Sequence, residues 1–180
     1  MEGKFVGTYI SMLRGINVSG QKKIAMAELK KLYESLGFKN VQTYIQSGNV
    51  IFECPDTDAS KLASRIEKKI KRSFGFDVPV LIRTKDEFRK LIENTPFSKS
   101  ADWLYVSFLS SVPANSPIGE INKMKDRLEE FSMSGMEIYL FCPGGYGKTK
   151  LSNSLFERKL KVAATTRNWR TVNALFSMAK

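Results

Sequence analysis

Histidine is missing altogether from the 180 residues, and cysteine occurs only twice, at Cys54 and Cys142. Without an imidazole there is no Ser-His or Cys-His nucleophile, no histidine metal ligand and no ordinary near-neutral proton shuttle. Two cysteines make at most one bridge, which suits a reducing compartment. No apolar run approaches the roughly 18 residues of a membrane span, and the start, MEGKFVGTYISML, carries no signal-peptide core. The expectation is a soluble, cytoplasmic protein with no membrane partner, no metal and no cofactor. What is present is an ordinary globular mixture, 42% hydrophobic and 26% charged, so disorder is excluded as the main state. A chain of this length buries roughly 70% of its unfolded surface and needs no crosslink to fold.

Positive charge is in excess and unevenly placed. Lysine and arginine number 29 against 18 acids, a net charge of +11. From Gly145 to Lys180 eight basic residues face one acid, Glu157, and from Lys61 to Arg72 six face Glu67. Such asymmetry favours phosphate-bearing partners, either nucleic acid or a nucleotide head group. A merely solvated, soluble surface is the alternative.

The hydrophobic pattern divides the chain into two halves, 1–83 and 84–180. Lys4 to Leu13 is apolar on both alternating sets and reads as a strand covered on both faces. Met26, Leu29, Leu32, Tyr33 and Leu36 form a helical stripe ended by Gly37. Two short strands, Val41 to Ile45 and Val50 to Glu53, flank a hairpin signal at 46–49. A helix carries Leu62, Ala63, Ile66, Ile70 and Phe74, and a strand runs from Val78 to Ile82. The order β-α-β-β-α-β is that of a ferredoxin-like unit within an α+β fold. The second half is expected to pack on the first as one α/β body. Thr84 and Glu87 form a capping box for a helix that ends before Pro96. Leu104 to Leu109 reads as a strand, and Ser116-Pro117 starts a helix with Ile118, Ile121, Met124, Leu128 and Phe131 inward. A strand at Glu137 to Phe141, a glycine-rich loop and two basic helices, near 151–160 and 169–179, complete the chain. No internal repeat is detectable.

In a ferredoxin-like sheet of order 4-1-3-2, the loop leaving strand one and the hairpin entering strand three share one edge. That edge gathers Arg14, Asn17, Lys22 and Lys23 with Gln46, Ser47 and Asn49, beside a helix N-terminus. A guanidinium, ammonium groups and amides are what a phosphate or carboxylate requires. The competing reading is that Asn17, Ser47 and Asn49 only cap turns, while Gly15, Gly20 and Gly48 supply positive φ.

Other motifs are thinner. Cys142 to Thr149 has the Gly-Lys-Thr end of a P-loop, but Cys142 stands where its first glycine belongs and no acidic partner for magnesium follows. A simple anion nest including Lys148 and Lys150, or a plain turn, remains open. Ser19-x-x-Lys22 resembles a Ser-Lys nucleophile pair but precedes its helix instead of starting it. The third strand lacks the aromatic positions of RNA-recognition domains. Trp169 with Arg167 and Arg170 could stack and contact phosphate, although beside Val172, Leu175 and Phe176 it also reads as core.

Leu13-Arg14-Gly15-Ile16-Asn17-Val18-Ser19-Gly20 and Thr43-Tyr44-Ile45-Gln46-Ser47-Gly48-Asn49-Val50 resemble the two signatures of a widespread bacterial family. That family is catalogued as a domain of unknown function, number sixteen ninety-seven. Later blocks match as well: Phe74 to Val80, Lys150 to Asn153 with its helix, and Ala164 to Trp169. Ser19 departs from the family's usual second glycine. The resemblance implies a soluble bacterial α+β protein and carries no assigned activity, cofactor or catalytic residue.

Three functions fit these observations. The first is a non-catalytic binder of a phosphate-bearing small molecule or nucleic acid, using Arg14, Asn17, Lys22, Lys23, Gln46, Ser47, Asn49, Lys148, Lys150 and Arg167. The second is a histidine-free enzyme on a small anionic metabolite, with Arg14 orienting the anion and Gln46, Ser47 and Asn49 polarising the reacting group. The third is a protein-interaction module, which an exposed apolar patch would favour. The sequence sets neither the oligomeric state nor which anion binds.

Overall fold

The computed structural model describes residues 6–56 and 58–180. Lys4 and Phe5 of the expected first strand lie outside the described residues. Two compact units divide the chain: one runs to Arg89 and takes in Leu175–Lys180, the other spans Lys90–Ala174.

The first unit is built on β1 (Gly7–Leu13), α1 (Met26–Ser35), β2 (Lys39–Tyr44), β3 (Asn49–Cys54), α2 (Ala59–Phe74) and β4 (Val80–Thr84), followed by α3 (Lys85–Glu93). Its sheet has the order β2-β3-β1-β4, antiparallel throughout, which is the expected ferredoxin-like topology. Asp58 starts α2 by accepting the Ser60 and Lys61 N–H groups, at 3.0 and 3.1 Å. Gly75, at φ +84°, ends it. Tyr9, Leu13, Val50, Phe52, Val80 and Ile82 on the sheet meet Leu29, Tyr33, Leu62, Ile66 and Ile70 on the helices in one core. Ile10, Met12, Ile51 and Leu81, on the opposite set of strand positions, are buried too. That explains why the first strand is apolar on both sets.

Thr84 and Glu87 make the expected capping box. The Thr84 N–H donates to the Glu87 carboxylate at 2.7 Å, and the Glu87 N–H donates to Thr84 Oγ1 at 3.1 Å.

The second unit has β5 (Leu104–Leu109), α4 (Ile118–Met124), β6 (Glu130–Ser134), β7 (Glu137–Phe141), α5 (Asn153–Leu160) and β8 (Ala164–Asn168). The last helix, α6 (Trp169–Met178), starts in this unit, and its residues from Leu175 onward are counted with the first. Two strands here differ from the sequence reading. The helix starting at Ser116-Pro117 stops at Met124, because Lys125 is extended (ψ 156°) and Asp126 caps a turn by accepting the Leu128 N–H at 3.0 Å. Leu128 is therefore exposed rather than inward, and Phe131 lies on β6, whose hairpin to β7 turns through Gly135 at φ +59°. Strand β8, rich in threonine, links the two basic helices.

With β6 and β8 in place, the second sheet has the order β6-β7-β5-β8 and repeats the first element for element. Register repeats as well. Ile10 lies opposite Ile51 and Arg83, and Val106 opposite Tyr139 and Arg167. The N–H groups ending the first strand repeat their acceptors: Leu13 to Gly48 and Leu109 to Met136, both at 2.8 Å. One residue on, Arg14 donates to Pro79 and Ser110 to Ala163, both at 2.9 Å. The chain thus holds two copies of one β-α-β-β-α-β motif, with Tyr9-Ile-Ser-Met-Leu13 and Tyr105-Val-Ser-Phe-Leu109 as their matching strands.

Candidate anion site at the sheet edge

Sheet order brings the loop after β1 and the β2–β3 hairpin together, as the topology requires. Asn17 makes the join. Its amide donates to the carbonyl of Gln46 at 2.9 Å and to that of Ile24 at 3.0 Å, while its oxygen accepts the Ile24 N–H at 2.9 Å. Asn17 sits at φ 54°, a left-handed conformation that asparagine tolerates better than most residues. Gly15, Ser19, Gly20 and Lys22 also have positive φ, so the loop coils back on itself. A tight turn from Val18 to Gln21 closes with a 2.9 Å backbone bond. Among the described residues, the N–H groups of Gly15, Ser19 and Gly20 have no protein acceptor.

The hairpin side is packed hard against this loop. A Cβ on Gly48 would lie 2.6 Å from Ile16 Cδ1 and 2.9 Å from Leu13 Cβ, so only glycine fits. Asn49 is fully buried, and its amide donates to the Tyr44 carbonyl at 2.9 Å and to Ser47 Oγ at 3.0 Å. Asn17, Ser47 and Asn49 therefore hold the edge together through their polar atoms. Gln46 has an exposed side chain and lends its carbonyl to Asn17.

The cations continue across the edge onto the end of α2. Lys22 Nζ donates to the Asp77 carbonyl at 2.6 Å, and the Arg14 N–H to that of Pro79. Asp77 and Pro79 line a cleft of about 420 Å³ with Glu67, Lys68, Lys71, Arg72 and Val78. Glu67 is occupied by the Val80 N–H at 2.9 Å, and Lys71 by the Asp77 carboxylate at 2.7 Å. Lys68 and Arg72 have no ion-pair partner among the described residues, and Lys23 is exposed close by in sequence to Lys22. Lys22 through its ammonium and Arg14 through its backbone N–H are thus tied to the segment that follows a basic helix end, which sequence reasoning did not place in the site. The signal was available in the charge run from Lys61 to Arg72.

The second copy of the motif serves as an internal control. Its loop from β5 to α4, Ser110 to Pro117, keeps the two backbone bonds that end the strand but holds no lysine or arginine. The fold itself therefore does not call for the cations at this edge.

Lys148, Lys150 and Arg167 belong to the second unit. Lys148 and Lys150 are exposed, and Arg167 is 7% exposed, donating to Thr165 Oγ1 at 2.9 Å and to the Thr166 carbonyl at 3.0 Å. The glycine-rich loop is not wound as a P-loop: one 3-10 turn spans Tyr146–Lys148, and α5 starts only at Asn153, capped by Ser152. The Gly145, Lys148 and Thr149 N–H groups bond within the loop, to Cys142, Gly145 and Tyr146 carbonyls. Trp169 is half-buried, and Arg170 is paired with Asp102. Among the described residues no group of three potential metal ligands occurs, and no helix is long and apolar enough to cross a membrane.

No curated protein matches the sequence. Among solved structures, a conserved bacterial protein from Streptococcus pneumoniae, SP0830, is similar over 98% of this chain and 100% of its own, with 26% identity and a TM-score of 0.74. The model of the protein family of unknown function DUF1697 matches residues 6–139, which include both the edge loop and the hairpin, and the chain belongs to that family.

Proposed function

We propose that this protein is a non-catalytic binder of a phosphate-bearing partner, nucleic acid or nucleotide, held at the sheet edge of the first unit. The observation that supports it is the contrast between the two copies. The loop of the first copy carries Arg14, Lys22 and Lys23, whereas the matching loop of the second, 110–117, repeats the two backbone bonds that end the strand and is uncharged. The helix ends are basic in both, with Lys68, Lys71 and Arg72 in one and Arg158, Lys159 and Lys161 in the other. A loop charged in one copy and uncharged in the other supports a ligand at that loop rather than a demand of the fold. The enzymatic alternative is the weaker one, since of its three polarising groups Asn49 is buried with its amide donating to the Tyr44 carbonyl and to Ser47 Oγ, which leaves Gln46 with an exposed side chain.

The test is binding of short RNA, short DNA and nucleotides across a salt series. A linear fall of log affinity with log salt is expected for nucleic acid, its slope reduced in a Lys23→Glu, Lys68→Glu, Arg72→Glu variant. A nucleotide-sized ligand would instead stabilise the protein in a way that survives salt. An unchanged slope in the variant overturns the assignment of this edge. Val18 and Ile45, 58% and 49% exposed, favour a second reading at the same edge, a protein-interaction surface, which no response to any anion would bring forward.

A further inference from the structure

The cleft bordered by the glycine-rich loop carries charge of the wrong sign for an anion nest. It has a volume of about 340 Å³ and is lined by Asp126, Leu128, Glu129, Pro143, Gly144 and Lys148. Two carboxylates against one ammonium make it acidic within a chain of net charge +11. Glu129 is only 6% exposed, which is rare for a carboxylate without full pairing. One of its oxygens accepts the Asp126 N–H at 2.9 Å, and the other has no hydrogen-bond or ion-pair partner among the described residues. Among the described residues that second oxygen is not a buried unsatisfied atom, so it opens onto the cleft, where it is placed to accept from a cation that brings its own donors. Leu128, 63% exposed, and Pro143 supply apolar surface in the same cleft.

From this geometry we infer that the cleft beside Cys142–Thr149 is a binding site for a primary ammonium on an aliphatic stem. Glu129 and Asp126 take the charge, Leu128 and Pro143 take the stem, and Lys148 is the site's own competing cation. Buried Cys142 adjoins the same carboxylate. Burial, and then the nearby charge of Glu129, push its thiol up to about 11, so it lies beside the site as a neutral group.

The experiment is an amide-resolved NMR titration of the full chain with butylammonium and with a lysine blocked at both backbone ends. Neutral 1-butanol and anionic butyrate serve as controls. Shifts confined to 126–129 and 143–148, caused by the ammonium probes alone, are expected. They should disappear in Glu129→Gln, whose amide oxygen can still accept the Asp126 N–H and so keeps the turn. Removing the competitor in Lys148→Gln should tighten binding about two- to five-fold, the worth of one exposed ion pair. Butylammonium binding without the blocked lysine would identify the ligand as a free amine, and binding of both would extend it to a lysine side chain of a partner. Absent or scattered shifts in the wild-type protein overturn the proposal, as do shifts that Glu129→Gln leaves unchanged.

Discussion

Asn17 and Gln46 are 29 residues apart in sequence and are joined by one 2.9 Å hydrogen bond, from the Asn17 amide to the Gln46 carbonyl. That bond ties the two signature segments of the family into a single edge. Asn17 makes two further bonds to Ile24, so its whole amide is spent on backbone. Asn17→Ala removes all three and places a Cβ-bearing residue without compensation at φ 54°, for a loss of about 3 kcal/mol. Asn17→Gly relieves the backbone and should lose about 1 kcal/mol less. Urea denaturation midpoints of both variants give the check, and equal stability to wild type in Asn17→Ala would show that the join is dispensable.

How much of this edge could be read from the residues depended on distance along the chain. The capping box of Thr84 and Glu87 was legible because its partners lie within a few residues of each other. The edge itself was legible because split β-α-β-β-α-β order dictates which loops meet. The role of Asn17 and Asn49 was not, since an amide that binds a ligand and one that binds a remote carbonyl look alike in sequence. Phe131 was misread for a similar reason: its spacing from Leu128 and Met124 continues a helical stripe, while the break comes from the turn at Asp126. That error hid β6, and with it the repeat. The matching strands around Tyr9 and Tyr105 are too short to reveal the duplication without the shared register.

Gly48 and Gly20 both have positive φ, at +85° and +73°, but only Gly48 is crowded. An alanine Cβ at 48 meets Ile16 and Leu13 well inside contact distance, whereas at 20 its nearest neighbour is the flexible Lys23 Cε at 3.9 Å. Gly48→Ala should cost about 3 kcal/mol or more, through overpacking added to backbone strain. Gly20→Ala should cost about 1 kcal/mol. Thermal melts of the two variants decide it. Similar losses would mean that φ alone matters and that the packing of hairpin on loop is soft.

Ile45 is a β-branched residue held at φ 49° with 49% of its surface in solvent. Little is gained by its side chain there, and the backbone conformation costs about 1–2 kcal/mol. Ile45→Asn should therefore raise stability, by about 1 kcal/mol. If the apolar tip is a contact for a partner, the same variant weakens that association while stabilising the free protein. A melting temperature that falls on substitution would show instead that Ile45 packs against its loop.

Stability should fall on the alkaline side, and two buried acids of the second unit set the window. Burial raises the Cys142 thiol from its ordinary 9.0 to about 11, with Glu129 adding to the effect. Burial raises the Tyr139 hydroxyl, which donates to the Leu91 carbonyl at 2.9 Å, from 10.0 to about 12. Below pH 9 both groups are protonated folded and unfolded, so their contribution is present in full. As pH climbs from 9, the unfolded chain releases its protons first while the fold retains them, and stability is lost through pH 11 to 12. Melting temperatures taken from pH 8 to 11 should decline, and Cys142→Ala should flatten the early part of that decline. The raised thiol also predicts slow alkylation of Cys142 at pH 8, because the thiolate is the reactive form. Rapid labelling of Cys142 in the folded protein, or a melting temperature indifferent to pH across this range, would show that the thiol is not held neutral by its surroundings.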